Sequence, residues 1–201
     1  MTTHSYAPAL DSDMHLHETL QSRETLFEGR FLTARRDKVG LPDGGSASRE
    51  YVVRPGAVVV IPFLDPERIV LERQYRYPVG RVMTEFPAEK LDAGEDPLVC
   101  AQRELREETG YTAGQWAHVG AMHLAIAYST EIIHIYAAKD LRAGQRKLDE
   151  GEFLDVFTAS VTDFLENCRK GAVTDAKTLS CALWLQNIQS GVWALDWKAL
   201  S

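Results

Sequence analysis

The chain is poor in cysteine, with Cys100, Cys168 and Cys181 alone in 201 residues and no C-x-x-C spacing. Three thiols cannot all pair internally, which argues against a disulfide framework and for a reduced, cytoplasmic location. No apolar run approaches the ~20 residues that span a bilayer, so a membrane partner is not expected. The polar N-terminus lacks the apolar core of a signal peptide, so neither is export. Basic residues are in deficit. Against 29 Asp and Glu stand 22 Lys and Arg, a net charge of −7, which argues against a nucleic-acid-binding surface. Internal repeats and low-complexity stretches are missing as well. What remains is 45% hydrophobic, enough to bury one sizeable core.

The pattern along the chain predicts a weakly structured tail over 1–22 and a single domain over 23–201. His15 and His17 alternate in the tail but have no companion ligands, and read as solvated. Leu26–Arg36 and Arg49–Val53 read as the strands of an antiparallel hairpin (23–54) around Leu41-Pro42-Asp43-Gly44-Gly45. Ala57–Phe63 is a continuous apolar run, as expected of a central strand buried on both faces. Strands are expected at Arg68–Tyr75, Val82–Phe86, Trp116–Leu124, Glu131–Ala138 and Phe153–Thr158. Helices are expected at Ser160–Arg169 and Asp175–Gln189. A mixed sheet between helices, an α/β/α sandwich, is the natural architecture.

A further helix carries the chemistry. Asp96 is an N-cap, Pro97 suits the first helical position and Gly110 suits the C′ position. Leu98, Ala101 and Leu105 form its core-facing stripe. Arg103-Glu104-Leu105-Arg106-Glu107-Glu108 then sets three carboxylates within its last turns. Glu104 neighbours both Glu107 and Glu108 on the helix surface, and like charges at that spacing repel. The negative end of the helix dipole adds to the repulsion. At ~100° per residue, Glu104 and Glu108 lie beside the core stripe, at the rim where the helix meets its sheet. A hard divalent cation relieves such crowding, because Mg²⁺ is commonly held by carboxylates together with substrate phosphates. A solvated acidic face is the alternative for this turn taken alone.

The wider spacing resembles the Nudix box, G-x5-E-x7-R-E-U-x-E-E-x-G-U, where U is bulky and apolar. Glu95, Arg103, Glu104, Leu105, Glu107, Glu108, Gly110 and Tyr111 fall on the pattern. Glu89 stands where the box has its opening glycine, which normally helps the chain turn sharply. Within that superfamily the chain resembles the ADP-ribose pyrophosphatase group. The likeness rests on Arg54-Pro55-Gly56-Ala57, Arg73-Gln74-Tyr75-Arg76-Tyr77-Pro78, Glu85-Phe86-Pro87-Ala88 and Thr174-Asp175-Ala176-Lys177-Thr178. The loop Leu124–Glu131 departs from it, lacking the proline common in the group.

The resemblance implies a Nudix-type α/β/α sandwich and Mg²⁺ (with Mn²⁺ as a substitute) held by Glu104, Glu108, Glu152 and the Ala88 carbonyl, with Glu107 assisting. Metal coordination makes water easier to deprotonate and screens phosphate repulsion. Arg103 is expected to pair with Glu107 or Glu95 and hold the carboxylates in position. The resemblance also implies Glu150, in the acidic segment Leu148–Phe153, as general base; a solvated acidic turn is the alternative there. Arg76 could fork onto a diphosphate, and the resemblance adds Arg54 and Glu131 as substrate-binding candidates. Phe27, Phe31 and Tyr51 could stack on adenine but such rings are more often core, and none is assigned; Trp184, Trp193 and Trp197 read as packing for the last helix. The implied activity is hydrolysis of ADP-ribose to AMP and ribose 5-phosphate by a homodimer. The alternatives are another nucleoside diphosphate sugar, or a Nudix-fold sensor without turnover.

Overall fold

The computed structural model describes residues 13–199, so residues 1–12 of the expected tail lie outside it. The described residues form two compact units, one of residues up to Arg54 with Ala125–Thr130, the other of Pro55–Leu124 with the residues from Glu131 on.

The first unit is a three-stranded antiparallel sheet of β1 (Thr19–Glu28), β2 (Thr33–Gly40) and β3 (Ser46–Val53), in that order, preceded by a 3-10 turn at Met14–Leu16. The expected turn at Leu41–Gly45 is closed by Leu41 N–H donating to Gly45 O at 2.9 Å. Two expectations need correction. The sheet begins at Thr19, inside the stretch read as tail, and the stretch read as one strand over Leu26–Arg36 is two. Gly29 N–H donates to Leu32 O at 3.0 Å there and turns the chain, so a hairpin becomes a meander. The reason is physical: every residue of β1 is exposed. With no buried face it has none of the apolar alternation by which a strand is recognised.

In the larger unit β4 (Ala57–Pro62), β5 (Arg68–Arg76), β6 (Arg81–Glu85) and the short β7 (Ala88–Lys90) lead into α1 (Pro97–Thr109). Strands β8 (Tyr111–His123), β9 (Ile132–Ala143) and β10 (Leu154–Ser160) follow, then α2 (Val161–Arg169), α3 (Ala176–Gln189) and β11 (Lys198–Ala199). One sheet has the order β11-β8-β9-β4-β7 and is mixed, since β4 and β9 run parallel while the other pairs are antiparallel. A second sheet has the antiparallel order β10-β5-β6.

Strand β4 is buried on both faces, as its unbroken apolar run requires. Val58 and Val60 pack with Cys100, Ala101 and Leu105 of α1. Val59 and Ile61 face the other way, into a core shared with Leu71, Phe86, Phe164 and Leu185. Helix, sheet, and a layer of sheet and helices thus make the expected sandwich. Trp184 and Trp197 both pack against that second core, Trp197 edge-on against Phe63 and under the Lys139 ammonium.

The helix ends follow the predicted chemistry. Asp96 accepts from the N–H groups of Leu98 and Val99 at 2.9 and 3.1 Å. Ser160 caps α2 and Asp175 caps α3 in the same way. Gly110 ends α1 with φ of 77°, and a Cβ there would lie 3.0 Å from both Arg146 N and Gly144 O. Only glycine meets both demands. Among the described residues no helix is long and apolar enough to cross a membrane.

Candidate active site

Arg103 is the hub of the box. Its Nε and Nη2 donate to Glu95 at 3.1 and 3.2 Å, and its Nη1 donates to Glu104 at 2.9 Å and Glu107 at 3.2 Å. The sequence left Glu95 and Glu107 as alternative partners; the guanidinium takes both, and Glu104 as well. Glu95 also accepts from Asp92 N–H at 3.0 Å, so one arginine ties the loop before α1 to the carboxylates on it. The guanidinium's hydrogen bonds hold the Glu95 carboxyl down at about 2, well below the ordinary range.

Glu104 and Glu108 are more deeply placed than a rim position suggests, at 5% and 3% exposure. Burial, with Glu89 close by, pushes the Glu104 carboxyl up to about 8 despite the Arg103 charge. Burial, then the charges of Glu72, Glu104 and Glu152, lifts Glu108 well above the carboxylate range. Six acids therefore share one neighbourhood: Glu104, Glu107 and Glu108 from α1, Glu72 from β5, Glu89 from β7, and Glu152 from the loop before β10.

Glu89, in the place of the box glycine, stands in this extended strand. Asp140 is the only non-glycine of positive φ among the described residues, so the substitution carries no backbone strain. Ala88, on the same short strand, pairs with Val59, and the preceding Pro87 carbonyl accepts from Val60 N–H at 2.9 Å.

The remaining candidates divide. Glu152 joins the acidic set, accepting from Gln74 Nε2 at 3.4 Å and from Asp149 N–H at 3.3 Å. Glu150 lies exposed on the turn just before it. Glu131 is buried at 8% exposure. Arg54 belongs to the N-terminal unit, where its guanidinium stacks 4.2 Å over the Phe31 ring. Phe31 and Phe27 are exposed at 53% and 57%, which corrects their reading as core. Arg76 does make a fork, but onto Glu85, at 2.7 and 2.9 Å.

Three residues escaped the sequence reading as site residues: Glu72, Glu85 and Lys177. Glu85 is buried yet well served, by Arg76 and by the Lys177 ammonium, which also meets Asp175 at 3.0 Å. Burial raises the Glu85 carboxyl, but its two cationic partners outweigh that and leave it below the ordinary range. Glu72 has no such partner. Burial drives it up to about 7 against a hydrogen bond shared with Glu108, and the Glu85 charge reinforces the rise. The signal was available: Glu72 directly follows Ile69-Val70-Leu71, and an acid there continues a doubly buried strand.

The donor set fits a hard divalent cation. Among the described residues no three acidic, histidine or cysteine side chains already form a finished metal-holding group. The ligating atoms offered are all oxygens, from carboxylates and the Ala88 carbonyl, as Mg²⁺ prefers. Glu108 Oε2 is buried without a hydrogen-bond partner, which is costly unless something compensates it.

Known proteins agree with this geometry. Residues 53–180 match the NUDIX domain, and residues 18–52 match the nucleoside diphosphate sugar hydrolase N-terminal domain. The chain is 37% identical over 173 residues to a Bacillus subtilis (strain 168) protein named ADP-ribose pyrophosphatase, covering 85% of this chain and 94% of that one. It is 39% identical over 165 residues to the methanol dehydrogenase activator of Bacillus methanolicus, covering 81% and 89%. The crystal structure of an ADP compounds hydrolase shares the fold with a TM-score of 0.79 at 23% identity, covering 88% of this chain and 97% of that one. With the box helix, its capping and its buried carboxylates in place, the chain belongs to the NUDIX family of hydrolases.

Proposed function

We propose that this protein is a Mg²⁺-dependent pyrophosphohydrolase that splits ADP-ribose into AMP and ribose 5-phosphate. The observation that carries the reading is the pair of buried, poorly compensated carboxylates Glu104 and Glu108 on the box helix. A diphosphate is itself anionic, so these groups cannot receive it without added positive charge.

Glu104, Glu108, Glu152 and the Ala88 carbonyl would hold the ion, with Glu107 assisting. When bound, the ion supplies charge neutralisation for the diphosphate and makes water easier to deprotonate. The chain's own residues do the rest. Arg103 keeps Glu104 and Glu107 in place through its shared hydrogen bonds. Glu150, on the turn beside Glu152, serves as general base, accepting the proton of the water that adds to phosphorus as the P–O–P bridge breaks. Arg76, Arg54 and Glu131 are the substrate-binding groups; Arg76 would contribute through the outer face of a guanidinium already oriented by Glu85. A homodimer and a cytoplasmic setting complete the reading. Leu20, Leu26 and Phe27 exposed along β1 support the first, and three free thiols support the second.

A broader substrate range is the second reading, favoured by the N-terminal match to nucleoside diphosphate sugar hydrolases. Incubating the purified protein with ADP-ribose, ADP-glucose and GDP-mannose, in Mg²⁺ and then in EDTA, separates the cases. AMP and ribose 5-phosphate formed fastest, and only with the metal, is the expected result. Faster cleavage of another sugar would move the assignment to it. Turnover in EDTA would reject the metal, and no product from any would leave a ligand sensor.

A further inference from the structure

Along β5, side chains two apart share a face, so Glu72, Gln74 and Arg76 project the same way. The register sets Glu72 opposite Glu85 on β6. Arg76 and Lys177 serve Glu85, and Gln74 donates to Glu152. Glu72 is left over. It is fully buried, no N–H, hydroxyl or cation serves either carboxyl oxygen, and the polar group set against it is another acid, the Glu108 carboxyl. It stands beside Glu108 of α1, whose Oε2 is likewise buried and unserved.

A structural role does not explain this. The neighbours Ile69, Val70 and Leu71 are apolar and fully or almost fully buried, and a fourth apolar side chain would complete the run without leaving polar atoms unpaired. Two acids kept side by side at such a place need a shared proton or a cation from outside the chain. Two facing carboxylates with three unserved oxygens between them suit a cation with a preference for oxygen.

We propose that Glu72 is a divalent-cation ligand supplied by strand β5, a donor outside the box helix and the acidic loop that shares its ion with Glu108. The proposal rests on the metal-dependent reading above and extends it. The metal centre would then join the helix to the second sheet, so that cation uptake tightens α1 against β5.

Mn²⁺ binding, read by electron paramagnetic resonance of the free ion and paired with thermal melts, tests it on the full-length wild-type, Glu72→Leu and Glu72→Gln proteins. The expected result is that Glu72→Leu melts higher than wild type in EDTA but binds Mn²⁺ at least about tenfold more weakly, or binds fewer ions per chain. Glu72→Gln, which keeps the shape, should show the same loss and decides the matter if the leucine variant does not fold. Mn²⁺ binding equal to wild type in the folded variant overturns the assignment of Glu72 alone. Wild-type protein that takes up no Mn²⁺ overturns the metal-dependent reading and this inference together.

Discussion

The N-terminal sheet and the interior of the larger unit are both dense in charge, yet they treat it in opposite ways. On the sheet, Arg36 lies 2.8 Å from Glu50 and 3.4 Å from Glu24. Arg49 meets Glu18, and Arg23 grips Asp37 at 2.8 Å, helped by the Tyr51 hydroxyl at 2.9 Å. Most of these groups reach water, where such pairs contribute little. Beneath the box helix, Glu72, Glu104 and Glu108 are buried with one arginine reaching one of them. Balanced charge at a surface is a matter of solubility and register. Unbalanced acid in an interior implies a missing counter-charge, and that difference separates scaffold from site.

The contrast can be broken most severely at its acidic end. Replacing Glu108 with Gln removes one carboxylate from the set and should lower kcat/KM on the order of 10³-fold, since a bound metal supplies several kcal/mol to the transition state. The same variant should melt no lower than wild type in EDTA, because repulsion is relieved. Steady-state kinetics beside a thermal melt checks both halves. A variant that lost stability while keeping turnover would make Glu108 a packing residue.

Glu150→Gln comes next. Turnover should fall by about 10²–10⁴ with little change in KM, as removal of a general base demands. Near-normal kcat would reassign the base, with Glu152 the first alternative.

Arg103→Ala sits between the two regimes, since its guanidinium compensates three carboxylates from a partly buried place. Chemical denaturation should show a loss of about 2–4 kcal/mol, and kcat/KM should fall about 10–100-fold. If stability alone changed, the arginine would be a scaffold pair like those on the N-terminal sheet.

Acid exposes the same arginine from the other side. Glu95 in the folded protein is lowered to about 2 from an ordinary 4.5. A lowered carboxyl stabilises above its unfolded value and loses that contribution as pH falls through the folded one. Wild type should therefore lose stability between about pH 4.5 and 2 more steeply than Glu95→Gln does, in denaturation curves taken at stepped pH. Parallel curves would mean that the Arg103–Glu95 pair adds nothing to folding.

Arg36→Ala on the exposed sheet should do least, within about 0.5 kcal/mol in the same assay. A larger loss would show that the N-terminal charges are more than solvated pairs.

Much of this architecture could be read from residue order because local chemistry decided it. Asp96, Pro97 and Gly110 bounded α1, Ser160 and Asp175 opened α2 and α3, and the Ala57–Phe63 run marked the central strand. Box spacing located Glu95, Arg103, Glu104, Glu107 and Glu108, since helix periodicity turns sequence distance into direction. What resisted reading depends on partners far away along the chain. Strand β1 has no buried face to announce it, and β7 is three residues long. Glu72 and Glu85 meet across strands, and Lys177 reaches Glu85 from 92 positions away. No periodicity encodes such a meeting. Arg76 was read as a fork for a diphosphate; its fork onto Glu85 could be found only once the strands were paired.

Gly110 lets the chain after β9 pass against the end of α1, and Lys147 N–H fastens it there by donating to Glu107 O at 2.9 Å. Residues 148–152 carry on to Glu152, a span of about 17 Å at full stretch. The acidic turn, closed by Glu152 N–H donating to Asp149 O at 3.1 Å, is thus tied by a short segment to the helix that carries Glu104 and Glu108. If Glu150 acts as proposed, changing the length of this segment would change its reach toward the carboxylates of α1, and turnover with it.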